Sequence, residues 1–202
     1  MERKLKVTVY AASSQALAAE YHDAAARLGR ALARAGYSIV YGGGGAGLMG
    51  AMADAALAAG GEVHGVIPGF LHDLEHGHTG LTSLEVVDTM RERKHRMLIE
   101  SDAVVALPGG CGTLEEVFEV MTLKRLGQYF GPIVLVNTGG YYNGLIDFLR
   151  HCVDQRFMAP LHLDLWHTIE DPEEVPAALA RIEPWNASAL ESAGVVADDA
   201  AG

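Results

Sequence analysis

The sequence has few of the features that build disulfide scaffolds, metal centres or membrane spans. It contains only two cysteines in 202 residues, Cys111 and Cys152, and their spacing fits neither a disulfide framework nor a metal site. No apolar run reaches the length of about 18 residues that spans a membrane. The charged start lacks the apolar stretch that a signal peptide needs. We therefore expect a cytoplasmic protein without a metal.

Basic residues are also scarce. The chain has 15 lysines and arginines against 26 aspartates and glutamates, which gives a net charge of −11. No basic stripe extends beyond residues 91–96. This balance argues against binding to nucleic acids or to anionic membranes, both of which attract basic surfaces.

Half of the residues are hydrophobic, and short apolar segments alternate with helical stretches. This alternation predicts an α/β fold, a Rossmann-like doubly wound parallel sheet with helices on both faces. The length fits one nucleotide-binding domain over residues 1–185. The end of the chain, 186–202, has no aromatic residue and is predicted to be disordered. Strands are predicted at about 5–10, 37–41, 62–67, 84–88, 103–107 and 132–136.

A glycine-rich turn at residues 108–116 joins an apolar strand to a helix. Its sequence is Pro-Gly-Gly-Cys-Gly-Thr-Leu-Glu-Glu. The free N–H groups and the dipole of a helix start favour an anion, and glycine lets a ligand approach the backbone closely. An alternative is purely structural, because Thr113 and Glu116 also have the spacing of a capping box. The predicted phosphate site consists of Gly109, Gly110, Cys111, Gly112 and Thr113.

A second glycine cluster, at residues 42–50, also follows an apolar strand and opens a helix. It fits the G-x-G-x-x-G pattern of dinucleotide sites twice, but any run this rich in glycine would. The next predicted strand ends at Pro68 without the acid that would hold a ribose, which argues against a nicotinamide cofactor. Gly43 and Gly44 are candidate ligand contacts in this loop, and Ser14 is another in the turn after the first strand.

Basic residues concentrate in Met90-Arg91-Glu92-Arg93-Lys94-His95-Arg96-Met97. Arg93 and Lys94 are candidates for a ligand phosphate or for holding a carboxylate. For Arg91 and Arg96 we favour a solvated helix face, with Glu92 and Arg96 as an i,i+4 pair.

Three histidines, His72, His76 and His78, lie close enough along the chain to suggest a metal site. Gly77 and Gly80 argue against a long helix there. We therefore predict a lid-like loop with ordinary histidines.

Taken together, these motifs resemble the family of cytokinin riboside 5′-monophosphate phosphoribohydrolases, the "lonely guy" proteins. The resemblance runs from about residue 7 to residue 181, in the family's order and at close to its spacing. Members are often labelled lysine decarboxylases, which need a Schiff-base lysine and pyridoxal phosphate. None of the four lysines here lies in a recognisable motif for that cofactor. The matching segments are 41–50, 66–68, 90–94 and 108–116.

The resemblance implies hydrolysis of the N-glycosidic bond of a nucleoside 5′-monophosphate, without a cofactor, by a homodimer. It implies that Arg93 and Glu116 are catalytic, and a guanidinium near Glu116 would keep that acid ionised. A non-catalytic nucleotide or cofactor carrier of the same fold is the alternative. Residues 11–14, Ala-Ala-Ser-Ser, replace the family's usual Cys-Gly-Ser-Ser, so the preferred base stays open. Further substrate contacts implied by the family are Glu75, Met90, Lys94, Glu115 and Thr122.

Overall fold

The computed structural model describes residues 3–75 and 77–185, with the side chains of 73–75 left out. Within this part, seven strands form one parallel sheet in the order β4-β3-β2-β1-β5-β6-β7. Short apolar segments form the central strands because both of their faces are covered. The strands are β1 Lys6–Tyr10, β2 Ser38–Tyr41, β3 Glu62–Pro68, β4 Ser83–Val87, β5 Ala103–Ala106, β6 Ile133–Val136 and β7 His167–Ile169.

Helices connect the strands and cover both faces of the sheet. Alternate strand residues enter two separate cores, with Val7 and Val9 on the face of α1 and α2, and Tyr10 on the face of α4 and α5. The helices are α1 Ala19–Arg34, α2 Gly47–Ala58, α3 Gly69–Glu75, α4 Met90–Leu98, α5 Cys111–Arg125, α6 Asn143–Asp154 and α7 Val175–Leu179. Short 3₁₀ helices lie at Thr138–Gly140, Pro160–Leu165 and Pro172–Glu174.

This architecture confirms the predicted fold class and all six predicted strands. The prediction missed β7, a three-residue edge strand, and it was wrong about the lid-like loop, because His72 lies in the helix α3. The predicted tail and His76 fall outside the described residues, and the domain boundary at residue 185 stays a prediction. No helix within the described ranges has the length and hydropathy of a membrane span.

The order of the strands fixes where a ligand can bind. The chain builds β1 to β4 outwards in one direction and then returns to place β5 on the other side of β1. In open parallel sheets a crevice forms outside the carboxyl ends of the strands at such a switch point. Here those ends are Tyr10 of β1 and Ala106 of β5, and the Pro-Gly-Gly loop follows β5 directly.

Candidate active site

A cavity of about 340 Å³ lies at this switch point. It collects residues from both glycine-rich loops, from the turn after β1, and from α2, α4 and α5. Its volume is at the low end of the roughly 300–1,000 Å³ that is usual for ligand pockets. The lining residues are Val9, Tyr10, Ala11, Ala12, Ser13, Ser14, Gly42, Met49, Met90, Arg93, Met97, Gly110, Gly112, Thr113, Glu115 and Glu116.

One wall of the cavity is the start of α5. The helix begins at Cys111 after Gly110, and no side chain caps it. The capping-box alternative is therefore wrong, because Thr113 is the third helical residue and is buried. A side chain on Gly109 would overlap the Thr113 hydroxyl, so the turn requires glycine there. The first N–H groups of the helix have no partner within the helix, which suits an anion.

Arg93 forms a second wall and is only 8% exposed. Its guanidinium donates to the carbonyl of Gly42 at 2.9 Å and to the carbonyl of Val66 at 3.1 Å. A side chain on Gly42 would occupy the position of the guanidinium, so this glycine makes room for the arginine. The Thr89 hydroxyl accepts from the N–H of Glu92 and fixes the start of α4. Arg93 is thus held rigidly in this wall of the cavity.

Glu116 lies on the first turns of α5 and lines the same cavity as Arg93. Burial raises the pKa of Glu116 to about 7, and the negative charge of Glu115 adds to the rise. The positive charge of Arg93 opposes the rise but does not cancel it. We expected the guanidinium to keep Glu116 ionised, but burial affects the pKa more than the charge of Arg93 does. Near pH 7 about half of the population holds a neutral carboxyl.

The raised pKa predicts that Glu116 destabilises the ligand-free protein at high pH. The folded state holds the proton more tightly than the unfolded state, so stability falls as pH rises from 4.5 to about 7. At about 1.4 kcal/mol per pKa unit the loss is at most about 3.5 kcal/mol. Because the side chain is partly exposed, we expect about 2 kcal/mol.

Urea unfolding of the Glu116→Gln variant measures this effect. The variant should be about 2 kcal/mol more stable than the parent at about pH 8 and nearly equal to it at about pH 4.5. Equal stability of the variant and the parent at both pH values would contradict the raised pKa of Glu116.

Lys94 was predicted to contact a ligand phosphate or to hold a carboxylate, and its ammonium does the second. It pairs with Glu115 and, at 3.0 Å, with Glu119. Glu115 raises the pKa of Lys94, which stays charged. Lys94 lines a neighbouring groove with Arg91 instead of the cavity. The predicted pair of Glu92 and Arg96 was wrong, because Arg96 binds Glu85 of β4 at 2.8 Å.

The other predicted contacts divide between the cavity and its surroundings. Gly109 and Cys111 lie beside the cavity, in the same turn as Gly110. The predicted contacts that line the cavity are Ser14, Met90, Gly110, Gly112, Thr113 and Glu115. Thr122 lies two turns further along α5, outside the cavity within this chain, in a groove with Phe118 and Phe157. Glu75 ends α3, but its side chain is not among those described.

Gly43 and Gly44 do not line the cavity, and their contact with a ligand stays a prediction. The Gly43 carbonyl accepts from the N–H of His78 at 2.9 Å, and Gly44 pairs with Gly77 in an isolated bridge. Gly43 has a φ of +78°, a conformation that favours glycine. These contacts tie the loop to residues 77–80. His78 in turn bonds Asp54 at 3.0 Å, and within the described residues no three side chains form a metal-binding group.

Sequence reasoning found Met90 but missed the other apolar residues of the cavity. Val9, Tyr10, Met49 and Met97 line it, and each is also a core residue. Tyr10 and Val9 could have been found from their place at the carboxyl end of β1, where ligands bind in such sheets. The two methionines carry no comparable signal, because a buried methionine on a helix is ordinary packing.

Comparison with known proteins supports the resemblance. The family model described as "Possible lysine decarboxylase" matches residues 49–179. A cytokinin riboside 5′-monophosphate phosphoribohydrolase of Rhodococcoides fascians is 44% identical over 155 residues, covering 76% of this chain and 78% of the relative. One from Arabidopsis thaliana is 37% identical over 179 residues, covering 89% of this chain and 82% of the relative.

Solved structures share the architecture. A molybdenum cofactor carrier protein of Chlamydomonas reinhardtii has a TM-score of 0.69 at 24% identity, covering 88% of this chain and 97% of the carrier. A molybdenum cofactor binding protein of Rippkaea orientalis has a TM-score of 0.67 at 22% identity, covering 89% of this chain and 98% of that protein. At these identities the likeness extends to the fold alone. The sequence relatives and the family model identify the chain as a member of the cytokinin riboside 5′-monophosphate phosphoribohydrolase family.

Proposed function

We propose that this chain hydrolyses the N-glycosidic bond of a nucleoside 5′-monophosphate to free base and ribose 5-phosphate. The bond between C1′ and the base nitrogen breaks with its electron pair leaving on the base. Water adds to C1′, and its proton is finally transferred to the base. The observation that carries the proposal is the placement of a half-buried carboxylate, Glu116, in one small cavity with an uncapped helix start.

The phosphate is proposed to bind at the start of α5. The N–H groups of residues 110–113 and the helix dipole supply the attraction, so no lysine is needed there. This arrangement agrees with the position of Lys94, whose charge is already occupied by Glu115 and Glu119. It also favours nucleotides over nucleosides, since a nucleoside leaves the helix start empty.

Glu116 is proposed to act on the ribose. Departure of the base leaves positive charge on C1′ and the ring oxygen, and a nearby carboxylate stabilises that charge and orients the attacking water. Burial strengthens this interaction because little water screens it. Arg93 is proposed to orient the carboxylate or the substrate from its fixed position on the Gly42 and Val66 carbonyls.

The remaining wall is suited to a base. Met49, Met90 and Met97 line the cavity beside Val9 and Tyr10. Methionine adapts its shape to irregular apolar groups, so this wall can hold an adenine with or without an isoprenoid substituent. Neither Lys94 nor Lys124 lines the cavity, which counts against a decarboxylase with a Schiff-base lysine.

The pKa of Glu116 gives the reaction an expected pH dependence. The ionised form is the active one, so kcat/KM should fall about tenfold for each pH unit below about pH 7 and level off above it. Because the charge of Glu115 raises the pKa of Glu116, Glu115→Gln should move this limb to lower pH. AMP hydrolysis at a series of pH values measures both. If kcat/KM falls at the same pH in Glu115→Gln as in the parent, the fall reflects the substrate phosphate, which titrates near pH 6.

The proposal is tested by supplying the purified protein with AMP, with isopentenyladenosine 5′-monophosphate and with the two matching nucleosides. Release of base from the nucleotides, with little from the nucleosides, is expected, and the ratio of rates gives the preferred base. Binding of AMP without release of adenine would overturn the hydrolase and favour the carrier.

We also propose a homodimer in the cytoplasm. The exposed side of α5 carries apolar Phe118, and exposed Leu126 follows the end of the helix. Thr122 lies on this helix outside the cavity of its own chain. A second copy packed there would cover these side chains and bring its surface close to the active site. Light scattering should give the mass of a dimer, and Phe118→Asp should shift it towards the monomer. A parent protein that is monomeric and fully active would contradict the dimer.

A further inference from the structure

Three successive carbonyl groups of the Pro-Gly-Gly turn are held by donors from other parts of the chain. The Leu107 carbonyl accepts from the Tyr142 hydroxyl at 2.7 Å, and the Gly109 carbonyl accepts from the Tyr141 hydroxyl at 2.8 Å. Between them, the Pro108 carbonyl accepts from the N–H of Ala12 at 3.3 Å. Each carbonyl is thus turned towards a donor of the surrounding protein.

The direction of these carbonyls determines what the turn offers to an anion. In a trans peptide the C=O and N–H bonds point in opposite directions. Holding the Gly109 carbonyl on Tyr141 therefore directs the N–H of Gly110 to the other side of the peptide. Gly110 is one of the residues that line the cavity. A reversed peptide would instead direct a carbonyl oxygen towards the phosphate and repel it.

The peptide between Gly109 and Gly110 has little of its own to prevent such a reversal. Neither residue has a Cβ, so rotation about the bonds on both sides meets few steric barriers. Nothing lies within 4 Å of the position that a Cβ on Gly110 would take. The hydrogen bond from Tyr141 is the contact that fixes this peptide from the carbonyl side.

The Tyr141 ring is itself well placed for this task. It packs edge-to-face on Tyr142 with the ring centres 5.1 Å apart, and on Tyr21 at 5.9 Å. The Asn137 side chain accepts from the N–H of Tyr142 at 2.7 Å and fixes the start of α6. Tyr141 nevertheless remains 43% exposed, whereas Tyr142 is 1% exposed. Loss of the Tyr141 hydroxyl would therefore leave the core intact.

We propose that Tyr141 is a positioning residue that orients the peptide between Gly109 and Gly110 for recognition of the 5′-phosphate. The proposal rests on the function proposed above and adds a determinant outside the cavity. Its signature is selective, because only ligands with a phosphate use the oriented N–H group. A residue that merely supported the fold would affect nucleotides and nucleosides alike.

The test compares Tyr141→Phe with Tyr21→Phe, which removes a hydroxyl from the neighbouring ring but keeps the bond to Gly109. Both are made in a Glu116→Gln background, so that AMP stays intact while its Kd and that of adenosine are measured by calorimetry. Tyr141→Phe should weaken AMP binding roughly five- to tenfold, the effect of one hydrogen bond, and change adenosine binding less than about twofold. Tyr21→Phe should change neither. In the otherwise unmodified protein, Tyr141→Phe should raise KM for AMP more than it lowers kcat.

Unchanged AMP binding in Tyr141→Phe, or an equal loss for AMP and adenosine, would overturn the positioning role while leaving the hydrolase in place. A parent protein that binds AMP without hydrolysing it would remove the proposed function, and the selective loss of AMP affinity would still support the role of Tyr141. Absence of AMP binding by the parent would remove both.

Discussion

Glutamine in place of Glu116 should lower kcat for base release from AMP by at least roughly a thousandfold, the scale of losing a charge that stabilises a transition state. The change removes the negative charge that faces the developing positive charge at C1′. It keeps the shape of the side chain and leaves the start of α5 intact, so AMP should bind within about fivefold of the parent. Single-turnover release of adenine, together with calorimetry, separates the two effects.

Glu115 provides the matched control, because it is the adjacent carboxylate and also lines the cavity. It is engaged with Lys94 on the outer side of α5. We expect Glu115→Gln to lower kcat less than about tenfold at a pH where Glu116 is ionised. A similar loss in both variants would show that general negative charge, rather than Glu116, matters to the reaction.

Replacing Arg93 should have the second-largest effect, and it should act on both activity and stability. Arg93→Ala leaves the carbonyls of Gly42 and Val66 without their donor in a buried place, which we expect to lower the free energy of unfolding by roughly 2–4 kcal/mol. It also removes the positive charge that lowers the pKa of Glu116. The activity of the folded fraction should fall at least roughly a hundredfold.

Arg93→Lys and Arg96→Ala complete this experiment. Lysine keeps the positive charge, so the pH dependence of activity in Arg93→Lys should lie closer to that of the parent than in Arg93→Ala. Lysine cannot reach both carbonyls, so it should recover little of the lost free energy of unfolding. Arg96 lies on the same helix and binds an exposed carboxylate, so its loss should change activity less than about twofold. Urea unfolding and AMP hydrolysis below the midpoint of unfolding measure both quantities. Full activity of folded Arg93→Ala would exclude Arg93 from the reaction.

The fold was largely predictable because the central strands are continuous apolar segments. Residues 103–106 and 133–136 are fully apolar and buried on both faces, and such runs mark parallel strands at the level of sequence. β7 could not be found in this way, because it consists of only His167, Thr168 and Ile169 at the sheet edge. The helix α3 was missed because glycines nearby suggested a loop.

The site was predictable where its residues are adjacent in sequence and unpredictable where they are brought together by the fold. The Pro-Gly-Gly turn and Glu116 share one motif, whereas other walls of the cavity come from β1, α2 and α4. Likewise, no local pattern shows that Lys94 pairs with Glu115, or that Tyr141 reaches the Gly109 carbonyl 32 residues away. The roles of Arg93 and Glu116 stay predictions until they are measured.

A crystal structure of the Glu116→Gln variant with AMP tests the central claim most directly. The account predicts the phosphate on the N–H groups of residues 110–113. It also predicts C1′ within about 4 Å of the carboxamide of residue 116, close enough for a water to lie between them or beside them. A phosphate bound instead at the loop of residues 42–45, or a ribose turned away from residue 116, would contradict it.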